Sequence, residues 1–286
     1  MKNSFLSLCA LLVVLSAGLC AEPKIATKGL RKIDCQIVPS VPLSKSRIAY
    51  SSFAKKIDQR MGSQSSKSLN WSGYAAYTSL KEPEIGGVTD VWGNWSIPKL
   101  HPSHGSRYCA CWLGIDGFSN QTVEQIGTLQ QWINGHQENI AWFSLYPGPA
   151  YELVGFPVNP HDKFRALVSY VGSSTFEMIL ENLTQKVYAI VTADFDEDSP
   201  VQRNSAEWIV EAPATDVILP LAHFSPVTFS QCLASIRGTT QPINGSHGDF
   251  SKIIMVTRAS KKGIVKAIPS RLSNDGKKFT VKWHHR

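Results

Sequence analysis

The chain has 286 residues, 43% apolar, 10% aromatic and 18% charged, enough to bury a sizeable core and too aromatic for a disordered polymer. Its 29 basic and 22 acidic residues leave +7, but the charge is segregated. Residues 22–69 hold ten basic and three acidic side chains, residues 70–236 hold seven and seventeen, and residues 237–286 hold eleven and two. A nucleic-acid binder places positive charge on the folded surface that meets phosphate; here the aromatic-rich middle is acidic, so no nucleic-acid partner is expected.

Residues 1–21 read as an export signal. Lys2 is followed by an apolar run from Phe5 to Leu15 and by the small residues Ser16, Ala17 and Gly18. Such a run is short for a membrane span but suits the core of a signal peptide, cleaved near Cys20 or Ala21. Leu19 is larger than the residue that usually precedes a lipidated cysteine. The expectation is a secreted protein with no membrane attachment once the signal is removed.

Residues 22–69 are rich in Lys, Ser and Pro and end in a polar stretch from Gly62 to Ser68 that reads as a flexible, protease-accessible linker. This basic segment complements the acidic body as the inhibitory pro-segment of a zymogen would; the plain alternative is solvated surface. The folded domain is then expected over 70–286. Beyond the signal, Cys35, Cys109, Cys111 and Cys232 could form two bridges in any of three connectivities. Cys109-Ala-Cys111 is neither a redox motif nor a zinc knuckle, and HExxH and paired CxxC motifs do not occur. Neither a metal site nor a cofactor is expected.

From Asn70 onward short alternating runs are punctuated by Gly, Pro, Asn and Asp. Val91, Gly93, Trp95 and Ile97 share one strand face. Ala141, Phe143 and Leu145 alternate with Trp142, Ser144 and Tyr146, and Phe164, Ala166, Val168 and Tyr170 form another period-2 set ahead of Phe176, Met178 and Leu180. Late strands are expected over 252–257 and 279–283. A long 3.6-residue apolar period is lacking, so the chain reads as all-β, an antiparallel sandwich or barrel. If Ala141, Phe143 and Leu145 fill its core, then Trp142, Ser144 and Tyr146 line a solvent-open face, where large aromatics suit the grip of an extended peptide.

GxSxG, a Gly-rich phosphate loop and the DTG or DSG of aspartic proteases are all missing. Five segments are distinctive: Asn70-Trp71-Ser72-Gly73-Tyr74-Ala75, Trp112-Leu113-Gly114-Ile115-Asp116-Gly117, Val123-Glu124-Gln125-Ile126-Gly127-Thr128, Ala141-Trp142-Phe143-Ser144-Leu145-Tyr146-Pro147 and Ser205-Ala206-Glu207-Trp208-Ile209-Val210-Glu211. In this order they resemble the eqolisins, the glutamic peptidases. The tail around Asn274-Asp275-Gly276 and from Phe279 to Trp283 resembles bacterial-type members.

That resemblance spans about Leu69 to Trp283. It implies a two-sheet antiparallel β-sandwich of the concanavalin-like lectin and glucanase architecture, and a secreted, acid-acting endopeptidase that takes polypeptide substrates and works as a monomer. The catalytic Gln and Glu of the family fall on Gln125 and Glu207. Its substrate-binding aromatics fall on Trp71, Trp112, Trp142 and Tyr146. Asp116 is placed with them, an Asx-type turn and support of Gln125 being its other readings.

Peptide hydrolysis needs a base for water and a donor for the oxyanion. Glu207 is expected as the base, its ordinary pKa of about 4.3 leaving it partly ionised at acid pH, where a histidine would be protonated. Gln125 is expected to donate to the oxyanion with an amide that does not titrate. Taken singly, each is also consistent with an ordinary strand residue. Ser144 stands where fungal members carry a cleft Glu, and Ile140 replaces an acid upstream.

Two rival readings share the architecture: a carbohydrate-binding or glycan-hydrolysing sandwich, and a binding module whose site has decayed. Glu207 and Glu211 on one strand face lie ~13 Å apart at ~3.3 Å per residue, too far for the ~5–5.5 Å pair of a retaining glycosidase. Five Asn-x-Ser/Thr sequons begin at Asn70, Asn94, Asn120, Asn182 and Asn244.

Overall fold

A computed structural model describes residues 27, 29–40, 65–195, 201–246, 248–258 and 263–284. The signal segment, Cys9, Cys20 and most of the basic leader lie outside these residues. Eighteen strands follow one another: β1 (Arg31–Lys32), β2 (Gln36–Pro39), β3 (Ser65–Ser68), β4 (Trp71–Tyr77), β5 (Val88–Ser96), β6 (Arg107–Ile115), β7 (Val123–Ile133), β8 (His136–Tyr146), β9 (Ala150–Val154), β10 (Lys163–Gly172), β11 (Thr175–Asn182), β12 (Val187–Asp194), β13 (Ser205–Glu211), β14 (Val227–Ile236), β15 (Thr239–Pro242), β16 (Asp249–Val256), β17 (Val265–Pro269) and β18 (Phe279–Trp283). The all-β expectation holds.

The strands form a single hydrogen-bonded network of mixed sense. One run passes through β12, β11, β10, β5 and β14. A second passes through β9, β8, β7, β6, β13, β4 and β16, then through β17 and β18 back to β14. The first half of β14 pairs with β18 and the second half with β5, which joins the runs. The two parallel pairings, β1 with β12 and β3 with β16, are both made by strands that precede Asn70. Local chemistry explains the longest hairpin: Asn134 and Gly135 both take positive φ, the conformation of a two-residue turn between twisted strands.

The main core gathers side chains from both runs, among them Val91, Trp95, Val168 and Met178 from one and Leu113, Ile126, Phe143 and Trp208 from the other. Trp208 Nε1 donates to the Trp92 carbonyl (2.9 Å) and Trp95 Nε1 to Thr128 Oγ1 (3.2 Å), so the indoles bridge the runs with their polar edges satisfied. Burying each large apolar side chain contributes about 1.5–3 kcal/mol of transfer free energy. Period-2 alternation places Ala141 and Phe143 in this core, as the sequence pattern predicts, and turns Trp142 and Tyr146 to the opposite face, where they join a second buried cluster.

Three details differ from the sequence reading. Ser65–Ser68, inside the stretch read as a flexible linker, is a strand with Ser66 and Ser68 buried. Cys35, Cys109, Cys111 and Cys232 are all free thiols, the last three buried, so no bridge forms among them. Of the five sequons only Asn244 is exposed; Asn70 and Asn182 are buried with their amides donating inside the protein.

Candidate active site

Strand β13 is inserted between β4 and β6, and β6 pairs in turn with β7. Register then sets one row of residues directly opposite each other: Ser251, Ala75, Glu207, Gly114, Gln125, Ser144 and Ala150. Residues opposite one another point to the same face. Glu207 and Gln125 are two strands apart, ~10 Å between backbones at ~4.8 Å per strand, with only a glycine between them. A Cβ on Gly114 would sit 2.7 Å from the Glu124 carbonyl oxygen and 3.0 Å from Gln125 Cβ. The bare glycine therefore leaves the space between the two side chains open.

Larger rows flank this one. On one side Ile209, Trp112, Gly127, Trp142 and Glu152 are in register; Gly127 lets Trp112 lie close, since a Cβ there would collide with Trp112 and the Cys111 carbonyl. On the other side Val123 pairs with Tyr146, and Tyr77 stacks on Phe118 at 5.0 Å. Trp71 meets Trp112 edge-on, with ring centroids 5.0 Å apart at 77°. The structure thus brings Gln125, Glu207, Trp71, Trp112, Trp142 and Tyr146 to one face.

That face is not open to solvent. Trp71, Trp112, Trp142 and Tyr146 belong to a buried apolar cluster, Glu207 is 0% exposed and Gln125 3%. The expectation of a solvent-open aromatic face is corrected accordingly. Both Glu207 carboxyl oxygens and Gln125 Oε1 are buried without hydrogen-bond partners.

Asp116 sits at the end of β6 in the left-handed region, φ 70°. Its carboxylate accepts from the backbone N–H of Gln202 (3.0 Å), Arg203 (2.6 Å) and Asn204 (2.9 Å) and from Thr122 Oγ1 (3.3 Å). It fastens the loop that leads into β13 rather than presenting its oxygens to the cleft. Two further residues had gone unassigned. Glu211, recognised in the sequence only as sharing Glu207's strand face, accepts from Trp112 Nε1 (2.8 Å) and Asn70 Nδ2 (3.0 Å), tying an aromatic wall to β13. Glu124, adjacent to Gln125, points the other way: it is 0% exposed, paired in register with Ile115 and Leu145, and neither carboxyl oxygen has a partner. Alternation alone could have placed it, because it shares the face of core residue Ile126.

Burial pushes the Glu207 carboxyl well above the ordinary range. The nearby Asp116 charge adds to this, while the Ser205 hydroxyl and the Phe118 backbone N–H pull the other way without reaching hydrogen-bonding geometry with it. Glu124 is also raised well above the usual range, by burial first and then by Asp116 and Glu207. Burial raises Asp116 despite the amides that favour its charge. In this closed arrangement burial favours the neutral form of Glu207, so its ordinary solution pKa is a poor guide to its state; water or a polar substrate beside it would favour ionisation. Among the described residues no three His, Cys, Asp or Glu side chains gather where they could hold a metal ion, and no helix is long and apolar enough to cross a membrane.

A family model described as the Peptidase A4 family matches residues 69–282. Aspergillopepsin-2 of Aspergillus niger is 28% identical over 175 residues, which cover 54% of this chain and 62% of that protein. The chain thus spans less than two thirds of the length of that relative. A solved structure of scytalido-glutamic peptidase with a transition state analog inhibitor superimposes with a TM-score of 0.61 at 19% identity, covering 76% of this chain and 98% of that one. Aspergilloglutamic peptidase from Aspergillus niger superimposes with a TM-score of 0.53 at 24% identity, covering 62% and 99%. At these identities the superpositions show likeness of fold.

Proposed function

The chain belongs to the Peptidase A4 family, the glutamic peptidases, and from that premise we propose that it hydrolyses peptide bonds with Glu207 and Gln125. One observation carries the assignment: two buried, unpartnered polar side chains share a row, separated only by Gly114, on an aromatic face inside the matched region.

An extended polypeptide enters along the row between the flanking Trp and Tyr side chains, bringing water with it. Hydration returns Glu207 toward its ordinary range and lets it ionise. Its carboxylate takes a proton from water as the oxygen adds to the scissile carbonyl. The Gln125 amide N–H donates to the oxyanion. Glu207 then hands the proton to the amine as the C–N bond breaks. Asp116 positions the loop before β13, and Glu211 with Asn70 positions Trp112. A retaining glycosidase would need a second free carboxylate ~5–5.5 Å away; Glu124 points to the core, and Asp116 and Glu211 are engaged by donors.

The finer architecture belongs to the same proposal: the two strand runs are the sheets of a sandwich with the main core between them. So do the boundaries: a signal over 1–21, a basic segment over 22–69, and a secreted, monomeric peptidase domain over 70–286. The direct test is hydrolysis of casein or denatured haemoglobin at pH 3–7, with laminarin and chitin as controls. Loss of one oxyanion donor lowers rate roughly 100- to 1,000-fold, so Gln125→Ala is expected to fall by that factor and Glu207→Gln to near zero. Near-normal hydrolysis by either folded variant would reject the assignment.

A further inference from the structure

The leader contributes strands to the body. Residues 29–40 lie outside the family match, which begins at 69, yet they close two separate edges. β1 runs parallel to β12, with Arg31 N–H donating to the Lys186 carbonyl (2.9 Å) and Ile33 N–H to that of Tyr188 (2.8 Å). Only four residues on, β2 pairs antiparallel with β9 from Gln36 opposite Val154 to Pro39 opposite Tyr151, and Ser40 N–H donates to the Ala150 carbonyl (2.9 Å). Between the strands, Ile33 and Cys35 pack against the main core, and just past β2 Ser40 is fully buried.

β12 ends one run of the network and β9 the other, so this short segment stitches together edges that belong to different ladders. Unpaired strand edges invite pairing with other chains, and these edges carry the exposed apolar side chains Ile190 and Val154. Ala150 also stands in the row of Glu207 and Gln125, which Ser40 prolongs by one strand.

We propose that residues 29–40 are a permanent two-strand clamp, which stays bound to the body after any cut between Ser40 and Ser65 and so extends the 70–286 domain by two added strands. The recognition is strand addition: main-chain hydrogen bonds supply affinity and the Ile33 contact fixes the position. The inference goes beyond the peptidase reading, and its readouts are mass, hydrogen exchange and melting, so it can fail or stand independently of activity.

The test uses the full chain with a site-specific protease recognition sequence replacing residues 48–54, cut to completion and passed through gel filtration at pH 4. Both fragments are expected in one peak at 1:1 by intact mass, separating only in denaturant. Amides of β9 and β12 are expected to remain protected from exchange. Stripping the small fragment is expected to lower the melting temperature by on the order of 5–10 °C, and a synthetic peptide of residues 27–40 to restore both protection and melting. Ile33→Asp in the cut protein is expected to release the fragment. Elution of the fragment by itself from a body with unchanged melting and unchanged exchange at β9 and β12 would overturn the proposal, as would failure of the peptide to rebind a folded body.

Discussion

A buried, unpartnered Glu124 is expected to make stability depend on pH, and Glu124→Gln isolates the effect. Its carboxyl is fully buried on the core face with no partner for either oxygen, and burial holds it well above the ordinary carboxylate range. In the unfolded chain the same group titrates near 4.3. Above that pH the native state binds a proton that the unfolded state has lost. Stability is therefore complete below about pH 4 and falls as pH rises, by about 1.4 kcal/mol per pH unit for one such group, until the folded pKa is passed. Glu207 is raised in the same direction by the same cause, so the two together give ~2.7 kcal/mol per unit against a total stability of about 5–15 kcal/mol. Glutamine has nearly the same shape and cannot ionise, so it is expected to leave stability at pH 4 nearly unchanged and to lower the slope above pH 5 by about 1.4 kcal/mol per unit. Urea unfolding of both proteins at half-unit steps from pH 4 to 7 measures this. Parallel curves for the two proteins, or a wild type indifferent to pH, would refute the burial of a neutral Glu124.

Gly114→Ala places a methyl against the Glu124 carbonyl and Gln125 Cβ; it is expected to cost about 1–3 kcal/mol in melting experiments and to abolish turnover, and a normal kcat would show that the gap is not used. Asp116→Asn replaces one acceptor oxygen with a donor that faces backbone N–H groups. A loss of about 1–3 kcal/mol and a fall in kcat with KM nearly held are expected, through displacement of the entry into β13. Glu211→Gln leaves either the Trp112 indole N–H or the Asn70 amide unpaired; the expected result is a several-fold rise in KM, little change in kcat and an altered tryptophan emission spectrum, and unchanged emission would place Trp112 outside Glu211's control.

Alternation made much of this site legible in the sequence. Period 2 separates Phe143 from Trp142 and groups Glu207 with Ile209 and Glu211 without any knowledge of the partner strands. Register is different, because it is a property of pairs. Gln125 and Glu207 are 82 positions apart in the chain (207 − 125), and only the insertion of β13 beside β6 sets both opposite Gly114. Burial was the least legible quantity: the same aromatic stripe could face water or form a second cluster, and that choice moves the Glu207 pKa. The leader misled for a related reason. A Lys- and Ser-rich composition suggests exposed chain, but main-chain hydrogen bonds to an edge strand need no apolar side chains, and β1 and β3 are held largely in this way.

The position of β13 also sets when in synthesis the proposed catalytic pair is complete. Its two neighbours, β4 and β6, are complete by residue 115, while β13 itself begins at Ser205. A nascent polypeptide shorter than that contains Gln125 but not Glu207. On the proposed roles of Gln125 and Glu207, peptide cleavage can begin only once synthesis has passed residue 207, a delay set by chain order alone.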